Sequence, residues 1–193
     1  MRVGPVSRRQ ALAVLGGAGA LVAGRLLLTH RSTAGKQVSS GYAPDGLAGR
    51  TAAFPLSAVR LLDSPFRANQ SRNTAYLLFL DPERMLRSFR INYGLPASAQ
   101  PCGGWEAPGS EIRGHTTGHL LSGLALTYAN TGNEAARAKG RYLVSRLAAL
   151  QARAPAAGFS RGYLSGFPES YFDRLEAGHR VWSPYYMIHK YLA

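Results

Sequence analysis

Residues 114–152, GHTTGHLLSGLALTYANTGNEAARAKGRYLVSRLAALQA, decide the fold class of this chain. Apolar side chains recur at helical spacing on both sides of Gly132, which predicts one helix over residues 111–130 and a second over residues 134–152. The connection consists of Thr131, Gly132 and Asn133. Glycine is favoured at the position that follows the end of a helix, and asparagine is favoured as the N-cap of the next one. Two long helices with so short a connection predict an antiparallel hairpin.

The two helices of this hairpin each divide into an apolar face and a polar face. The apolar side chains expected to point inward are Ile112, Leu120, Leu121, Leu124, Leu126, Tyr128, Tyr142, Leu143, Leu147 and Leu150. The basic side chains expected to point largely outward are Arg137, Lys139, Arg141, Arg146 and Arg153.

Helical patterns also lie before and after the hairpin. One helix is predicted from Asn69 to Leu80, and Asp81-Pro82 supplies the N-cap and first turn of another that runs to about Tyr93. A last helix opens after Pro184. Their apolar residues are Tyr76, Leu77, Phe79 and Leu80 in the first, and Met85, Leu86, Phe89 and Ile91 in the second. No stretch alternates as a strand would, so the sequence predicts an all-α fold.

Two loops rich in glycine and aromatic residues separate these helices, over residues 95–110 and 158–172. The first is long for a connector, and such loops are often functional. It contains Trp105 and Glu106, and two interpretations of Trp105 stay open: a surface that stacks on or gates a sugar, or an anchor that holds the loop on the core.

Composition excludes several classes of protein. The chain has 193 residues, of which 46% are apolar, and a single cysteine, Cys102, which excludes an internal disulfide and a Cys-rich zinc site built from this chain alone. The formal charge is +13, carried by 20 Arg and 3 Lys. These residues spread over polar helix faces and the N-terminal segment without aromatic residues between them, so we expect no nucleic-acid partner.

The first 34 residues resemble an export signal. Ser7, Arg8 and Arg9 precede an uncharged stretch over residues 10–24, which is the order of a twin-arginine signal peptide. Arg25 interrupts the apolar stretch, which disfavours a membrane span. We therefore expect a signal peptide over residues 1–34, a linker over 35–53 and a folded domain over 54–193, in a protein that is secreted or extracytoplasmic.

Several side chains could carry chemistry. His115 and His119 lie at i and i+4, as a metal site would require, but Thr116 stands where the zincin motif has a glutamate, so a metal site is disfavoured. Glycines in the same helix, at 114, 118 and 123, indicate either a binding site or a tight helix contact. Glu106, Glu111, Glu169, Asp173 and Glu176 form no diagnostic carboxylate pair.

Five segments together resemble the β-L-arabinofuranosidase family of glycoside hydrolases, GH127. They are GGWE at residues 103–106, residues 114–133, the end of the hairpin at residues 150–152, GYLSGFPESYFDRLE at 162–176 and VWSPYYMIHKYLA at 181–193. The resemblance implies the N-terminal part of an (α/α)6 toroid and an activity on β-L-arabinofuranosides or related plant glycans. By motif match, it implies that His119, Tyr163 and His189 line the sugar pocket.

In this family, the resemblance implies a cysteine nucleophile and a zinc ion held by cysteines and a glutamate. Cys102 does not match that cluster, so we expect the catalytic groups to lie beyond Ala193, zinc to be bound only by full-length members, and this chain alone to be inactive and without metal. The partner is then an arabinose-containing oligosaccharide or polysaccharide. The alternative function is a non-catalytic helical module that binds carbohydrate through its aromatic loops.

Overall fold

The computed structural model describes residues 53–191, and all regular structure in that range is helical. Six α-helices follow one another along the chain: α1 (Pro65–Phe79), α2 (Pro82–Asn92), α3 (His115–Thr131), α4 (Glu134–Ala152), α5 (Ser170–Glu176) and α6 (Pro184–His189). Three short 3-10 turns lie at Leu56–Ala58, Gly104–Glu106 and Pro155–Ala157. The predicted all-α fold is confirmed, and its helices are consistent with part of a helical toroid.

The α3–α4 hairpin forms as the sequence predicts. Gly132 ends α3 with φ of 69°, a left-handed conformation that favours glycine. The side chain of Asn133 caps α4 by accepting a hydrogen bond from the backbone N–H of Ala136 at 2.9 Å. The predicted start of α3 at Glu111 is wrong, because Gly114 has φ of 100° and the helix begins only at His115.

Helix α1 begins earlier than predicted and exposes part of its apolar face. The hydroxyl of Ser64 accepts from the N–H of Arg67 at 3.3 Å and Pro65 occupies the first turn, so the helix starts before Asn69. Of the four apolar residues that the sequence assigns to this helix, Leu77 and Leu80 pack against the core, whereas Tyr76 and Phe79 are exposed. The reason is that no described element packs over this side of α1.

Helix α2 supplies the centre of the core. Asp81 is its N-cap and accepts from the N–H of Glu83 at 2.8 Å, as predicted. Met85, Leu86 and Phe89 are buried, whereas Ile91 is half exposed, so its predicted inward position is wrong. The core then continues through α3 and α4, where the buried residues are Leu120, Leu124, Leu143, Leu147 and Leu150.

Two further side chains of the hairpin differ from the prediction. Lys139 is not on the outer face: its ammonium donates to the carbonyls of Leu77, at 3.1 Å, of Leu78, at 2.6 Å, and of Leu80. It therefore caps the C-terminal end of α1, where cations are favourable. Leu126 points outward and is exposed, because it lies on the face of α3 turned away from α4.

None of the helices in residues 53–191 combines the length and apolar character that a membrane crossing requires. The predicted signal peptide, residues 1–34, and nearly all of the predicted linker, residues 35–53, lie outside the described residues.

Candidate functional site

Aromatic and histidine side chains from four segments meet at the N-terminal end of α3. Trp105 comes from the loop before α3, His115 and His119 from its first two turns, Trp182 from the segment before α6, and Tyr186 and His189 from α6 itself. We refer to these six residues as the His–aromatic cluster.

The rings of the cluster contact one another in a continuous chain. Trp105 lies edge-to-face against Trp182, with ring centroids 5.8 Å apart, and against His115, at 5.7 Å. His115 stacks on Tyr186 at 5.3 Å, and Tyr186 contacts His189 at 4.9 Å. Such contacts stabilise each ring pair by roughly 0.5–1.5 kcal/mol, so the cluster is a preformed surface.

A carboxylate from the loop fixes the start of α3. Glu106 accepts hydrogen bonds from the backbone N–H of Gly114 and from that of Thr116, each at 2.6 Å. Gly114, the N-cap residue, has no side chain with which to do this, and a carboxylate there also interacts favourably with the helix dipole. Glu106 thereby holds Trp105, its neighbour in sequence, beside His115.

The two histidines of α3 form a direct pair. Their Nε2 atoms are 3.2 Å apart, so one ring donates N–H to the other and the contact requires at least one neutral imidazole. Burial lowers the pKa of His115, and the nearby charges of His119, Lys190 and His189 lower it further, while Glu106 opposes them. His115 is therefore neutral at neutral pH.

Close backbone packing places α6 against α3. A Cβ atom added at Gly118 would lie 2.6 Å from the carbonyl oxygen of Lys190, which is closer than real Cβ contacts. At Gly123, an added Cβ would meet the side chain of Leu77 at 3.3 Å. Of the two explanations for the glycines of α3, the tight contact is the one observed, and the contact at Gly118 allows Tyr186 of α6 to stack on His115 of α3.

The cluster is open to solvent and offers both apolar and polar groups. Trp105 is 56% exposed and Trp182 is 46% exposed, so Trp105 is not an anchor buried in the core. His119 and His189 are exposed as well, whereas His115 is buried. Exposed indoles beside imidazole and phenol groups can stack on an apolar ring face and hydrogen-bond to hydroxyls, which is how proteins recognise polar, hydroxyl-rich ligands.

Comparison with known proteins places this surface in a family of enzymes. The family model described as "Beta-L-arabinofuranosidase, GH127 catalytic domain" matches residues 58–193, which is more than half of the chain. The chain belongs to the GH127 family. Its members are glycoside hydrolases, so the protein's general activity is glycoside hydrolysis and its ligand is a carbohydrate. No curated protein matches the chain significantly.

Of the three residues that the GH127 resemblance predicts for the sugar pocket, the structure brings two together. His119 and His189 both belong to the His–aromatic cluster. Tyr163 is only 1% exposed, and its hydroxyl donates to the carbonyl of Phe167 at 2.7 Å within the core. Its ring contacts Phe159 and Phe172. The structure thus places Tyr163 with the core residues and not with the two histidines.

Four members of the cluster are not among the residues predicted for the sugar pocket, although the sequence leaves a sugar-stacking role open for one of them, Trp105; the other three are His115, Trp182 and Tyr186. His115 was considered only as half of a metal pair, although its i, i+4 spacing to His119 already placed both rings on one helix face. Trp182 and Tyr186 stand near His189 in a segment rich in aromatic residues. Trp182 contacts Trp105 and Tyr186 contacts His115, so both contacts join residues about 70 to 80 positions apart, and no local pattern carries that information.

Three of the five carboxylates considered as catalytic pairs accept hydrogen bonds from backbone N–H groups in the described part of the chain. Glu111 accepts from the backbone N–H of Trp182 at 2.8 Å. Glu169 is buried and accepts from the N–H of Ser160 at 2.8 Å. Glu106 thus fixes the loop that carries Trp105, and Glu111 fixes the segment that carries Trp182.

The zinc centre implied by the GH127 resemblance does not fit the residues present. That centre needs several cysteines, and the sequence has only Cys102. Within residues 53–191, no group of three or more His, Cys, Asp or Glu side chains is arranged to hold a metal ion. The His115–His119 pair supplies only two imidazole groups. The hydrogen bond between their Nε2 atoms explains why the two rings lie close together.

Proposed function

We propose that this GH127 protein acts in the hydrolysis of β-L-arabinofuranosides or related plant glycans, and that the His–aromatic cluster is its sugar-binding surface. The observation that carries the proposal is the cluster's geometry. Two half-exposed indoles and the exposed imidazoles of His119 and His189 belong to one set of contacting rings, which His115 and Tyr186 link, at a site that a loop carboxylate and a close helix contact hold in place.

A pentofuranose matches the chemistry of this surface. Its ring has a small apolar face that can stack on Trp105 or Trp182, and its hydroxyls can exchange hydrogen bonds with imidazole nitrogens. The lowered pKa of the buried His115 keeps that ring neutral near neutral pH, so it can hydrogen-bond to the exposed ring of His119 without placing a charge beneath it. Lys190, whose ammonium lies 5.6 Å from the centre of the Tyr186 ring, adds a donor at the edge.

We assign no step of glycosidic-bond cleavage to the described residues, because the zinc and thiolate centre does not fit them. We propose that residues outside this sequence supply the nucleophile and the zinc ion, and that this chain alone binds the sugar without hydrolysing it. We also propose that residues 1–34 direct export through the twin-arginine route, which would place the protein where plant glycans occur.

Tryptophan fluorescence tests the sugar-binding proposal directly. The chain has two tryptophans, and both belong to the cluster, so fluorescence excited selectively in tryptophan, and not in the ten tyrosines, reports on this surface. Titration with an arabinofuranosyl oligosaccharide should give a saturable change. His189→Ala should weaken binding about tenfold, the effect of losing roughly one hydrogen bond to the ligand.

A matched control is His179→Ala, which removes an exposed histidine outside the cluster and should leave the affinity unchanged. Absence of any fluorescence change with arabinofuranosides, or equal weakening by both variants, would contradict the proposal. An assay of nitrophenyl β-L-arabinofuranoside hydrolysis by the chain, with zinc added, separates the alternatives. Binding without turnover is the result expected here, and binding to many unrelated glycans would favour a general carbohydrate-binding module.

A further inference from the structure

A cavity of about 280 Å³ that includes no residue of the His–aromatic cluster has Glu106 in its lining. It is enclosed by α2, by the loop that follows α2 and by the residues just before α3. Three arginines line it, Arg84, Arg87 and Arg113, together with the thiol-bearing Cys102. Neither the sugar-binding proposal nor the zinc-thiolate chemistry uses this cavity.

Backbone carbonyls hold the three guanidinium groups in position. Arg84 donates to the carbonyls of Gln100 and Pro101, at 3.2 and 3.0 Å. Arg87 donates to two carbonyls of the same loop, both at 2.7 Å, and Arg113 donates to the carbonyl three residues before it, also at 2.7 Å. Carbonyl groups are neutral, so these bonds orient the arginines without compensating their charge.

No carboxylate in residues 53–191 forms an ion pair with Arg84, Arg87 or Arg113; the ion pairs there involve other arginines. Glu106 borders the cavity, but both of its oxygens accept hydrogen bonds from the start of α3. In addition, the buried Nε of Arg87 has no hydrogen-bond partner among the described residues. Arg87 and Arg113 are partly buried, and Arg84 is exposed. A partly buried cation without a counter-ion is costly, and an anion in the cavity would relieve that cost.

We propose that this cavity binds a small oxyanion, either a carboxylate or an inorganic anion of sulfate type. Guanidinium groups held in fixed orientations bind planar and tetrahedral oxyanions through paired N–H donors. The inference is independent of the sugar site, because it rests on a different set of residues and on charge.

The single cysteine of the chain makes the cavity directly measurable. Cys102 is half-buried and lines the cavity, so its rate of modification reports on the local potential. We would compare an anionic disulfide reagent, dithiobis(nitrobenzoate), with a neutral one, dithiodipyridine, on the full 193-residue chain. The quantity compared is the rate with the anionic reagent divided by the rate with the neutral one. This ratio removes differences in thiol accessibility. Arg84→Gln should lower this ratio roughly fivefold, since one unit charge is removed within a few ångströms.

Arg141→Gln is the matched control, because it removes an equal charge from the exposed face of α4 and should change the ratio little. On the unmodified chain, sulfate or glucuronate at constant ionic strength should slow the anionic reagent and not the neutral one. Protection by sulfate alone identifies an inorganic anion, and protection by glucuronate identifies a sugar carboxylate. The proposal is overturned if neither anion protects Cys102, or if Arg141→Gln lowers the ratio as much as Arg84→Gln.

Discussion

Replacing Glu106 by Gln tests whether the loop carboxylate organises the start of α3. In the structure its two oxygens accept from the N–H groups of Gly114 and Thr116, both at 2.6 Å. The amide of Gln has one oxygen, so one of the two N–H groups would lose its acceptor and face an NH2 group instead. The substitution also removes the negative charge from the positive end of the helix dipole.

The expected cost follows from these two losses. A hydrogen bond to a charged group contributes about 1.5–3 kcal/mol net, and a charge at a helix terminus about 0.3–1 kcal/mol. Because Glu106 is only partly buried, solvent reduces both contributions. We therefore expect Glu106→Gln to lower the free energy of unfolding by roughly 2 kcal/mol. Urea unfolding followed by far-ultraviolet circular dichroism measures this value.

Glu134→Gln provides the comparison, because Glu134 also lies in the first turn of a helix but its carboxylate is exposed and pairs only with Arg137 at the surface. That change should cost at most about 0.5 kcal/mol. If the two variants unfold at the same urea concentration, or if Glu106→Gln matches the unmodified chain, the capping role of Glu106 is refuted. Tryptophan fluorescence should shift in the Glu106 variant alone, since Trp105 is its neighbour.

Three other predictions concern the hairpin helices α3 and α4. Gly118→Ala places a Cβ 2.6 Å from the carbonyl of Lys190 and should destabilise the fold by about 1–2 kcal/mol, as well as weaken sugar binding, because α6 must move. Gly140→Ala meets only an ordinary contact at 3.8 Å and should stabilise α4 by up to about 1 kcal/mol in the same urea assay. The pKa of His115 is lowered from its ordinary 6.5, so the unfolded chain binds more protons than the folded one below that pH. Stability should therefore decrease as pH falls from 6.5 towards the lowered pKa, and His115→Gln should flatten that dependence in urea melts recorded at several pH values.

Sequence predicted those parts of the fold that depend on local signals. The α3–α4 turn follows from a glycine with a left-handed backbone and an asparagine cap, and α2 starts at Asp81 because an N-cap residue precedes a proline. The start of α1 has the same signal, Ser64 before Pro65, and the helix begins there and not at Asn69. The outward position of Tyr76 could not be predicted, because helical spacing does not say whether another element covers that face.

The candidate site was only partly predictable for the same reason. The family motif identified His119 and His189. These two side chains are linked through His115 and Tyr186, and this arrangement depends on the close approach of the backbone at Lys190 to Gly118. Tyr163 shows the limit of motif matching, since its motif position was compatible with a pocket and its side chain lies in the core. Packing between distant segments, which decides both cases, leaves no periodic pattern in the sequence.

The central claim is that the His–aromatic cluster binds an arabinofuranosyl ligand, and a nuclear magnetic resonance titration tests it most directly. The histidine ring and tryptophan indole signals of the chain would be followed as an arabinofuranosyl oligosaccharide is added. We predict saturable shifts for Trp105, His119 and His189, with one common affinity, and no shift for His179. Shifts confined to residues outside the cluster, or no shift at saturating sugar, would contradict the account.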